Sequence, residues 1–460
     1  MKKLQRDRKI VRSVRHSLLF ANTNKKELLR AFLKNYRYAV KLYVDALWSM
    51  HREWDGKKPD KSGKIPHYVL DIKNERYDFP SMVSNVDIEN TMSDDIKRMP
   101  ISARAKACAL SQAIGMCKAS AEKARRYEYI LDNVKHKRQR TEHERMLRER
   151  KRPVKPHCDN IRAELRSLCA EVIDNENSKF SFFVRLKSIG MGIPDIVIPT
   201  TKTRCDRKFI DLGFKRLSGI LVSETDVDFR YEGEIPEIKD GATLGCDQGM
   251  KDTLVLSNGV VTPIVDNHGK RVEDLYAKLA RKRKGSDAYR RAEIELTNFV
   301  NWQVRKTVEN FNGSVKRINL EKVVNIRFKK RSCRKMQAWS NPRIVDALKA
   351  NCEISGVHVH EEPSTYMSQR CSECGLVRKA SRKGKTYKCP HCGNEMDADL
   401  NAAVNHTADL TPIDWRFRKL KLNRGSGFFW MADGLYSVSD EGEPGVHLDP
   451  KTGKPIEDFS

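Results

Sequence analysis

Four cysteines in the C-terminal third constrain this chain more than any other feature. Cys371 and Cys374 form one C-x2-C pair, Cys389 and Cys392 form a second, and 14 residues separate the two pairs. Thiolates bind Zn²⁺ tetrahedrally, and two such pairs build a metal site without a large hydrophobic core. Four thiolates leave no position for water, so the sequence predicts structural rather than catalytic zinc. His391, inside the second pair, is then expected at the surface and not as a ligand.

The charge of the chain indicates the kind of partner it binds. The chain has 460 residues and a formal net charge of +27, and the basic residues are spread through segments that look folded. A surplus of this size favours a polyanion, of which nucleic acid is the commonest. A solvated basic surface without a partner is the alternative interpretation.

Cysteine usage and hydropathy indicate a cytoplasmic protein. Twelve cysteines in a basic chain that lacks the apolar core of a signal peptide favour buried free thiols over disulfides. No run of about 18 apolar residues occurs, so no membrane partner is expected.

The N-terminal half predicts a β-domain that is interrupted by helices. Residues 24–54 and 101–150 carry apolar side chains at helical spacing, whereas short β-type runs broken by Gly and Pro follow between residues 180 and 231. The segment Ile10–Arg15 is predicted to donate a strand to the same β-domain. We therefore expect a small β-barrel or sheet into which a helical block is inserted.

From residue 241 onward the pattern changes to α/β. Ala242–Asp247 and Val315–Glu321 have the composition of core strands, and Asn258-Gly259 predicts a hairpin turn. A helix is predicted to begin at Asp399. Residues 426–460 are rich in Gly, Pro and acids, which predicts a poorly ordered tail.

Three acids occur where these predicted elements begin or end. Asp247 and Glu321 each end a strand, and Asp399 opens the helix that follows the cysteines. Strand ends in an α/β sheet converge in one crevice, and three carboxylates brought together repel one another unless cations lie between them. Mg²⁺ prefers oxygen ligands, and two such ions support phosphodiester hydrolysis. A single acid at a strand end is more often a turn or capping residue. We therefore interpret Asp252 and Asp397 as structural residues, or as residues that support the three acids without being ligands.

The ordered combination of these motifs resembles a known family. The segments that carry the resemblance are Gly245-Cys-Asp-Gln-Gly249, Leu256-Ser-Asn-Gly259, Asn319-Leu-Glu321, Ser364-Thr-Tyr-Met-Ser368, the four cysteines, and Asp397-Ala-Asp399-Leu-Asn-Ala-Ala403. Together they are similar to the split RuvC-like nuclease of transposon-encoded TnpB proteins and of the compact type V CRISPR effectors. The resemblance covers roughly residues 241–406, and the motifs do not decide between a transposon and a CRISPR origin.

The resemblance carries specific expectations for site, fold and partners. It implies that Asp247, Glu321 and Asp399 are the catalytic, magnesium-binding acids of an RNase H-like (RuvC) core with an inserted four-cysteine zinc ribbon. It also implies RNA-guided DNA cleavage by a prokaryotic or phage-encoded enzyme, with guide RNA and target DNA as partners, acting as a monomer or as a homodimer on one RNA. Target sequence is then read by base pairing beside a short flanking motif.

The residue patterns and the family resemblance together predict a multidomain α/β architecture. The predicted domains are a wedge-like β-domain (1–20 and 175–240), a helical recognition domain (21–174), a RuvC-like nuclease (241–365 and 395–425), a target-nucleic-acid-binding zinc ribbon (366–394) and a disordered tail (426–460).

A basic run after Glu321 is a further candidate site for nucleic acid. With Trp339 nearby, phosphate contacts and base stacking would together bind single-stranded DNA; a solvated basic loop is the alternative. The candidate residues are Arg327, Lys329, Lys330, Arg331, Arg334 and Lys335.

Two other functions compete with RNA-guided cleavage. One is an RNA-guided DNA-binding protein without efficient cleavage, against which the complete set of three acids argues. The other is a guide-independent, structure-selective RuvC-like nuclease, which the large N-terminal region makes less favourable.

Overall fold

A computed structural model describes residues 9–54, 94–132, 154–175, 177–190, 192–323, 339 and 341–456. These residues fall into two compact units, which meet in sequence between Glu234 and Ile235. Each unit has its own sheets and its own hydrophobic core.

The first unit combines helices with two antiparallel sheets. Its helices are α1 (Thr23–Trp54), α2 (Asp94–Arg98), α3 (Ala103–Asp132) and α4 (Arg204–Asp211). Its strands are β1 (Lys9–Ser17), β2 (Ala163–Leu165), β3 (Ala170–Asp174), β4 (Phe182–Leu186), β5 (Ile196–Thr200), β6 (Lys215–Val222) and β7 (Asp226–Glu234). The strand orders are β1-β7-β6-β2 and β3-β4-β5.

The β-domain departs from the predicted boundaries. Strand β1 pairs along its whole length with β7, as expected for a strand donated by the N-terminus. Strands β2 and β3, however, lie within residues 21–174, so that range is not purely helical. Both strands are short, which leaves too few positions for a period-two pattern to stand out in the sequence.

Helices α1 and α3 form the helical layer of this unit. Tyr43 and Trp48 are 6% and 9% exposed, so they are core residues rather than base-stacking ones. The hydroxyl group of Tyr36 donates to Gln112 Oε1 of α3 at 3.0 Å and to the backbone oxygen of Glu164 in β2 at 3.1 Å. Such bonds tie the helical layer to the first sheet.

The second unit contains the motifs singled out above. Its helices are α5 (Val272–Ala280), α6 (Asp287–Glu309), α7 (Asn341–Ile354) and α8 (Ala398–Val404). Its strands are β8 (Ala242–Gln248), β9 (Leu254–Leu256), β10 (Val315–Lys322), β11 (His358–Pro363), β12 (Arg382–Lys383), β13 (Thr386–Lys388), β14 (Glu395–Asp397), β15 (Phe429–Trp430), β16 (Leu435–Val438) and β17 (Pro444–Leu448).

The central sheet of the second unit is largely parallel. Its order is β11-β10-β8-β9, with β8, β10 and β11 parallel and β9 antiparallel to β8. After β9 the chain turns at Gly259, whose φ of 84° is a conformation that favours glycine. Buried side chains of α5, α6 and α7 join those of the sheet in one core. The carboxyl ends of β8 and β10 therefore lie at the same edge.

The segment beyond the ribbon is ordered, contrary to the sequence-based expectation of a disordered tail at 426–460. Strands β15, β16 and β17 form a three-stranded antiparallel sheet within the described residues up to 456. Phe428 and Leu435 pack into a cluster with Val377 of the ribbon, which provides burial that the segment lacks by itself. The prediction failed because Gly, Pro and acidic residues here occupy tight turns between short strands.

None of the helices in the described ranges combines the length and the apolar character needed to cross a lipid bilayer.

Candidate functional site

The three acids selected from the sequence line one cleft of about 500 Å³ in the second unit. In the parallel pair β8–β10, Leu320 lies opposite Cys246, so the following residues, Glu321 and Asp247, lie side by side near the carboxyl ends of the two strands. Asp399 enters from the first turn of α8 and is 8% exposed. Two strand ends and one helix start thus bring the acids together, as the sequence predicted.

Burial and mutual repulsion make the cleft electrostatically unfavourable for bare carboxylates. Burial, together with the negative charges of Glu321 and Asp399, holds the pKa of Asp247 well above its usual range. Burial also raises the pKa of Glu321, although a hydrogen bond to Asp247 and the backbone N–H of Gln248 oppose the rise. The pair therefore favours positive charge nearby.

Two basic side chains from the ribbon supply part of that charge. Arg382 Nη2 donates to Asp399 Oδ1 at 2.7 Å. Lys385 Nζ donates to both Asp399 and Asp252. It therefore links the turn between β8 and β9 to the first turn of α8. Sequence reasoning missed both basic residues. Asp252 lines the same cleft and contacts Asp399 through Lys385, which agrees with its predicted supporting role. The available signal was a basic hairpin immediately before the second cysteine pair.

The segment Leu400-Asn-Ala-Ala403 explains how Asp399 is held. Asn401 Nδ2 donates to the backbone oxygen of Arg370, at 2.8 Å, and Asn401 Oδ1 accepts from the backbone N–H of Ser372, at 3.2 Å. Asn405, one turn later, also donates to Arg370 O at 2.8 Å. Both asparagines are buried, so helix α8 is fixed to the first cysteine pair by bonds that water does not weaken.

Asp397 has a structural role, as predicted. Its side chain caps α8 by accepting hydrogen bonds from the backbone N–H groups of Asp399 and Leu400, at 2.9 and 3.1 Å. The cap orients the first helical turn, and with it the carboxylate of Asp399.

The donor set of the cleft fits Mg²⁺. Carboxylate oxygens are the ligands this ion prefers. Burial raises the pKa of both Asp247 and Glu321, and the negative charges of Glu321 and Asp399 raise that of Asp247 further, so a cation would stabilise the ionised acids. The three acids are less tightly grouped than the ribbon thiols: in the part of the chain that the structure describes, only the cysteine set has all ligand atoms within 4.8 Å of one another. Asp399 points toward Arg382 and Lys385, which accounts for the looser arrangement.

The four cysteines form a compact metal-binding group. Cys371 Sγ and Cys392 Sγ lie 3.5 Å apart, and Cys374 Sγ and Cys389 Sγ lie 3.6 Å apart. Four sulfur atoms at about 2.3 Å from one zinc ion are roughly 3.8 Å from each other, so the arrangement fits a tetrahedral ion such as zinc.

Each cysteine pair ends in a tight turn that only glycine makes easily. Gly375 and Gly393, which follow the second cysteine of each pair, have φ values of 79° and 74°. His391 is not a member of the metal-binding group. Its side chain is 18% exposed and packs edge-on against Phe429 at 5.4 Å, so it is more buried than predicted.

The other cysteines behave as free thiols where the structure describes them. Cys108, Cys117, Cys158, Cys169, Cys246 and Cys352 are buried, whereas Cys205 is exposed. The expectation of mostly buried thiols is therefore confirmed.

Of the predicted single-stranded-DNA site, only Trp339 lies within the described residues. Arg327, Lys329, Lys330, Arg331, Arg334 and Lys335 all lie outside the described residues. Trp339 lines the cleft but is 6% exposed and packs in the core of the sheet. So small an exposed surface argues against its predicted role in base stacking.

Comparison with known proteins agrees with the motifs. Residues 342–406, which span α7, the ribbon and α8, match the family model described as "Cas12f1-like, TNB domain". This segment is similar to a Cas12f1-like TNB domain. This match confirms the predicted resemblance to the compact type V CRISPR effectors.

A curated relative extends the same likeness. The CRISPR-associated endodeoxyribonuclease Cas12f1 of Sulfoacidibacillus thermotolerans is 37% identical over 89 residues, which is 19% of this chain and 21% of the relative. The match therefore spans about a fifth of that protein's length.

Solved structures are similar over most of the chain. Alicyclobacillus acidoterrestris C2c1, in complex with single-guide RNA, matches with a TM-score of 0.50 and 10% identity, covering 89% of each chain. A Cas12f1–sgRNA–target DNA complex matches with a TM-score of 0.48 and 15% identity, covering 83% of each chain. At these identities the C2c1 likeness concerns the fold.

Proposed function

We propose that this protein is an RNA-guided DNA endonuclease whose RuvC-like site is formed by Asp247, Glu321 and Asp399. The observation that carries the proposal is the shared cleft of these three acids, one of which is delivered by a helix fixed to the Cas12f1-like TNB domain. A protein that only binds DNA needs no such convergence of carboxylates.

The sheet of the second unit supports an RNase H-like core. Three parallel strands with one antiparallel edge strand place Asp247 and Glu321 on neighbouring strands, and a helix supplies Asp399. In this arrangement the ribbon is an insertion that precedes the last acidic residue of the core.

The acidic and the basic residues of the cleft have different proposed roles. Asp247, Glu321 and Asp399 would hold Mg²⁺, which supplies activation of water and stabilisation of the leaving oxygen when it is bound. Arg382 and Lys385 lie on the ribbon side, where they offset the charge of Asp399 and are placed to face an incoming phosphate. The cysteine set would hold structural Zn²⁺ and so fix the hairpin that carries both basic residues.

Guide RNA and target DNA are the proposed partners. The net charge of +27 suits two nucleic-acid strands, and the relatives include complexes of this kind. The basic run 327–335 is proposed to bind single-stranded DNA. The protein is proposed to act as a monomer or as a homodimer on one RNA.

Cleavage by matched variants tests the proposal. The protein is purified with its native transcript and mixed with DNA that matches the guide and carries a flanking motif. Asp247→Asn is expected to lower cleavage by a factor of ~10³ or more while guide binding is retained. Asp440→Asn, which changes an exposed acid far from the cleft in sequence, serves as the matched control. Undiminished cleavage by Asp247→Asn contradicts the site assignment.

Sequencing of co-purified RNA separates the competing functions. A discrete bound RNA is expected for an RNA-guided enzyme. Cleavage of branched DNA without such an RNA would instead favour a structure-selective nuclease, and RNA-dependent binding without cleavage would favour the binding protein.

A further inference from the structure

A second, strongly basic pocket lies beside the acidic cleft. It has a volume of about 360 Å³, and its cationic lining residues are Lys379, Arg418, Lys421 and Arg424. Hydroxyl and amide groups complete the wall, among them Ser364 and Ser368. Cations combined with neutral hydrogen-bond donors are the lining that a phosphate group requires.

The pocket adjoins the acidic cleft. Ser368 lines both cavities. Ser364 Oγ donates to the backbone oxygen of Lys322 at 3.3 Å, directly after Glu321. Arg418 Nη2 donates to the backbone oxygen of Ser364 at 3.2 Å, and its positive charge lowers the pKa of Glu321. The two cavities therefore share a wall that includes Ser364 and Ser368.

The walls of the pocket are held in an unusual conformation. Tyr366 and Lys421 have φ values of 63° and 56°, in the left-handed region that non-glycine residues seldom adopt. The Tyr366 hydroxyl group is buried without a hydrogen-bond partner among the described residues. Asn423 Nδ2 donates to Gln369 Oε1 at 2.7 Å and joins the two strained segments across the pocket. Strain of this kind is retained where the surrounding structure fixes a binding surface.

None of the four cations forms a salt bridge among the described residues, although the charge of Arg418 acts on Glu321. Salt bridges there include none with Lys379, Arg418, Lys421 or Arg424, and all four side chains are exposed. By contrast, the basic residues of the neighbouring cleft are paired with Asp399 and Asp252. Exposed cations without a salt bridge at a polar pocket remain available to an anionic ligand.

We infer that this pocket, called the phosphate pocket below, binds a phosphodiester group of a single DNA strand. The neighbouring phosphate of the same strand then lies in the acidic cleft. The inference rests on the proposed nuclease function and specifies how the strand is placed. The phosphate pocket fixes the register of the strand, because a phosphate held there sets which neighbouring linkage meets the three acids.

Salt-dependent binding of a single-stranded oligonucleotide tests the inference. The full-length chain binds fluorescein-labelled single-stranded DNA in EDTA, and fluorescence anisotropy gives the dissociation constant over a series of KCl concentrations. Lys421→Asn with Arg424→Gln removes two charges, and asparagine tolerates the left-handed backbone at position 421. Lys451→Gln with Lys454→Gln removes two exposed charges from the C-terminal segment and is the matched control.

The expected result is specific to the phosphate pocket. The first pair of substitutions should weaken binding roughly tenfold at low salt and flatten the logarithmic salt slope by about 1.4, or about 0.7 for each lost phosphate contact. An Arg424→Lys variant should keep the slope. An unchanged slope, an equal effect in the control pair, or a loss seen only with single-stranded RNA overturns the inference.

Failure of this test and failure of the nuclease proposal are distinguishable. Binding in EDTA does not depend on cleavage, so an unchanged slope removes the phosphate pocket alone. Persistent cleavage by Asp247→Asn removes the site assignment and leaves the measured slope standing.

Discussion

Gly245 of β8 lies directly against the backbone carbonyl of Ala403 in α8, so that a Cβ atom at position 245 would be 1.9 Å from the carbonyl oxygen. Such a contact is impossible without displacement of strand or helix. The close approach is what brings Asp399 of α8 to the acids of the sheet.

Gly245→Ala should therefore disturb the site as well as the fold. We expect a loss of about 1–3 kcal/mol in the free energy of unfolding, because a methyl group is forced between two backbones. Cleavage should fall further than stability, because α8 carries Asp399. Gly115→Ala, at a position in α3 where an added Cβ meets nothing within 4 Å, is the control and should not destabilise the protein. Chemical denaturation and cleavage rates are measured on the same preparations, and a variant with normal rates contradicts the positioning argument.

Neutralising Asp247 should stabilise the protein in the absence of metal. Because the pKa of Asp247 is raised in the folded state, its contribution to stability is present at low pH and is lost as the pH rises through that raised pKa. At pH 8 in EDTA, Asp247→Asn should unfold at a higher urea concentration than the wild type. Its free energy of unfolding should be larger by more than about 1 kcal/mol. At pH 4 the two should be nearly equal. A variant less stable than the wild type at pH 8 would show that the carboxylates do not repel one another.

Lys385 should compete with metal for the acids. Since its ammonium group bridges Asp252 and Asp399, an ion bound by Asp399 has to displace it. Lys385→Gln is expected to tighten Mn²⁺ binding several-fold in titrations followed by electron paramagnetic resonance. Lys383→Gln, an exposed neighbour on the same hairpin, should leave the affinity unchanged. Weaker binding by Lys385→Gln would mean that the lysine supports the ion instead.

Loss of zinc should impair the acidic cleft indirectly. Cys389→Ser removes one of the four thiols, and Cys205→Ser changes an exposed thiol outside the group. We expect the first variant to lose its bound zinc, as measured by elemental analysis. Its cleavage rate should fall, because Arg382 and Lys385 lie on the hairpin that the metal fixes. Normal zinc content in Cys389→Ser would contradict the assignment of the ligands.

Removing residues 426–460 should destabilise the ribbon. Phe429 is 2% exposed and shares a cluster with Cys371, Cys389 and Tyr387, and the truncation uncovers that cluster. Faster exchange of backbone amide hydrogens in residues 371–392 is the expected outcome, followed by mass spectrometry. A truncation after Asp449, which keeps all three strands, is the control. Unchanged exchange would show that the C-terminal sheet is dispensable for the ribbon.

The acids and thiols were predictable from the sequence because each follows a local rule. Asp247 and Glu321 end strands of clear composition, and the cysteines have a spacing that only a metal site explains. The partners of Asp399 followed no such rule: Lys385 reaches it from a hairpin in another sheet, and only tertiary packing brings them together. The C-terminal sheet was missed for a similar reason, since its strands are two to five residues long and depend on the ribbon for burial.

Two buried asparagines, Asn401 in α8 and Asn405 directly after it, have a consequence for the order of assembly. Asn401 and Asn405 bond to the backbone at Arg370, so α8 finds its place only after the first cysteine pair has folded. During synthesis, Asp247 and Glu321 emerge from the ribosome long before Asp399 does. A nascent chain therefore carries an incomplete set of acids until the ribbon is built, and the proposed active site is completed only when α8 has been made.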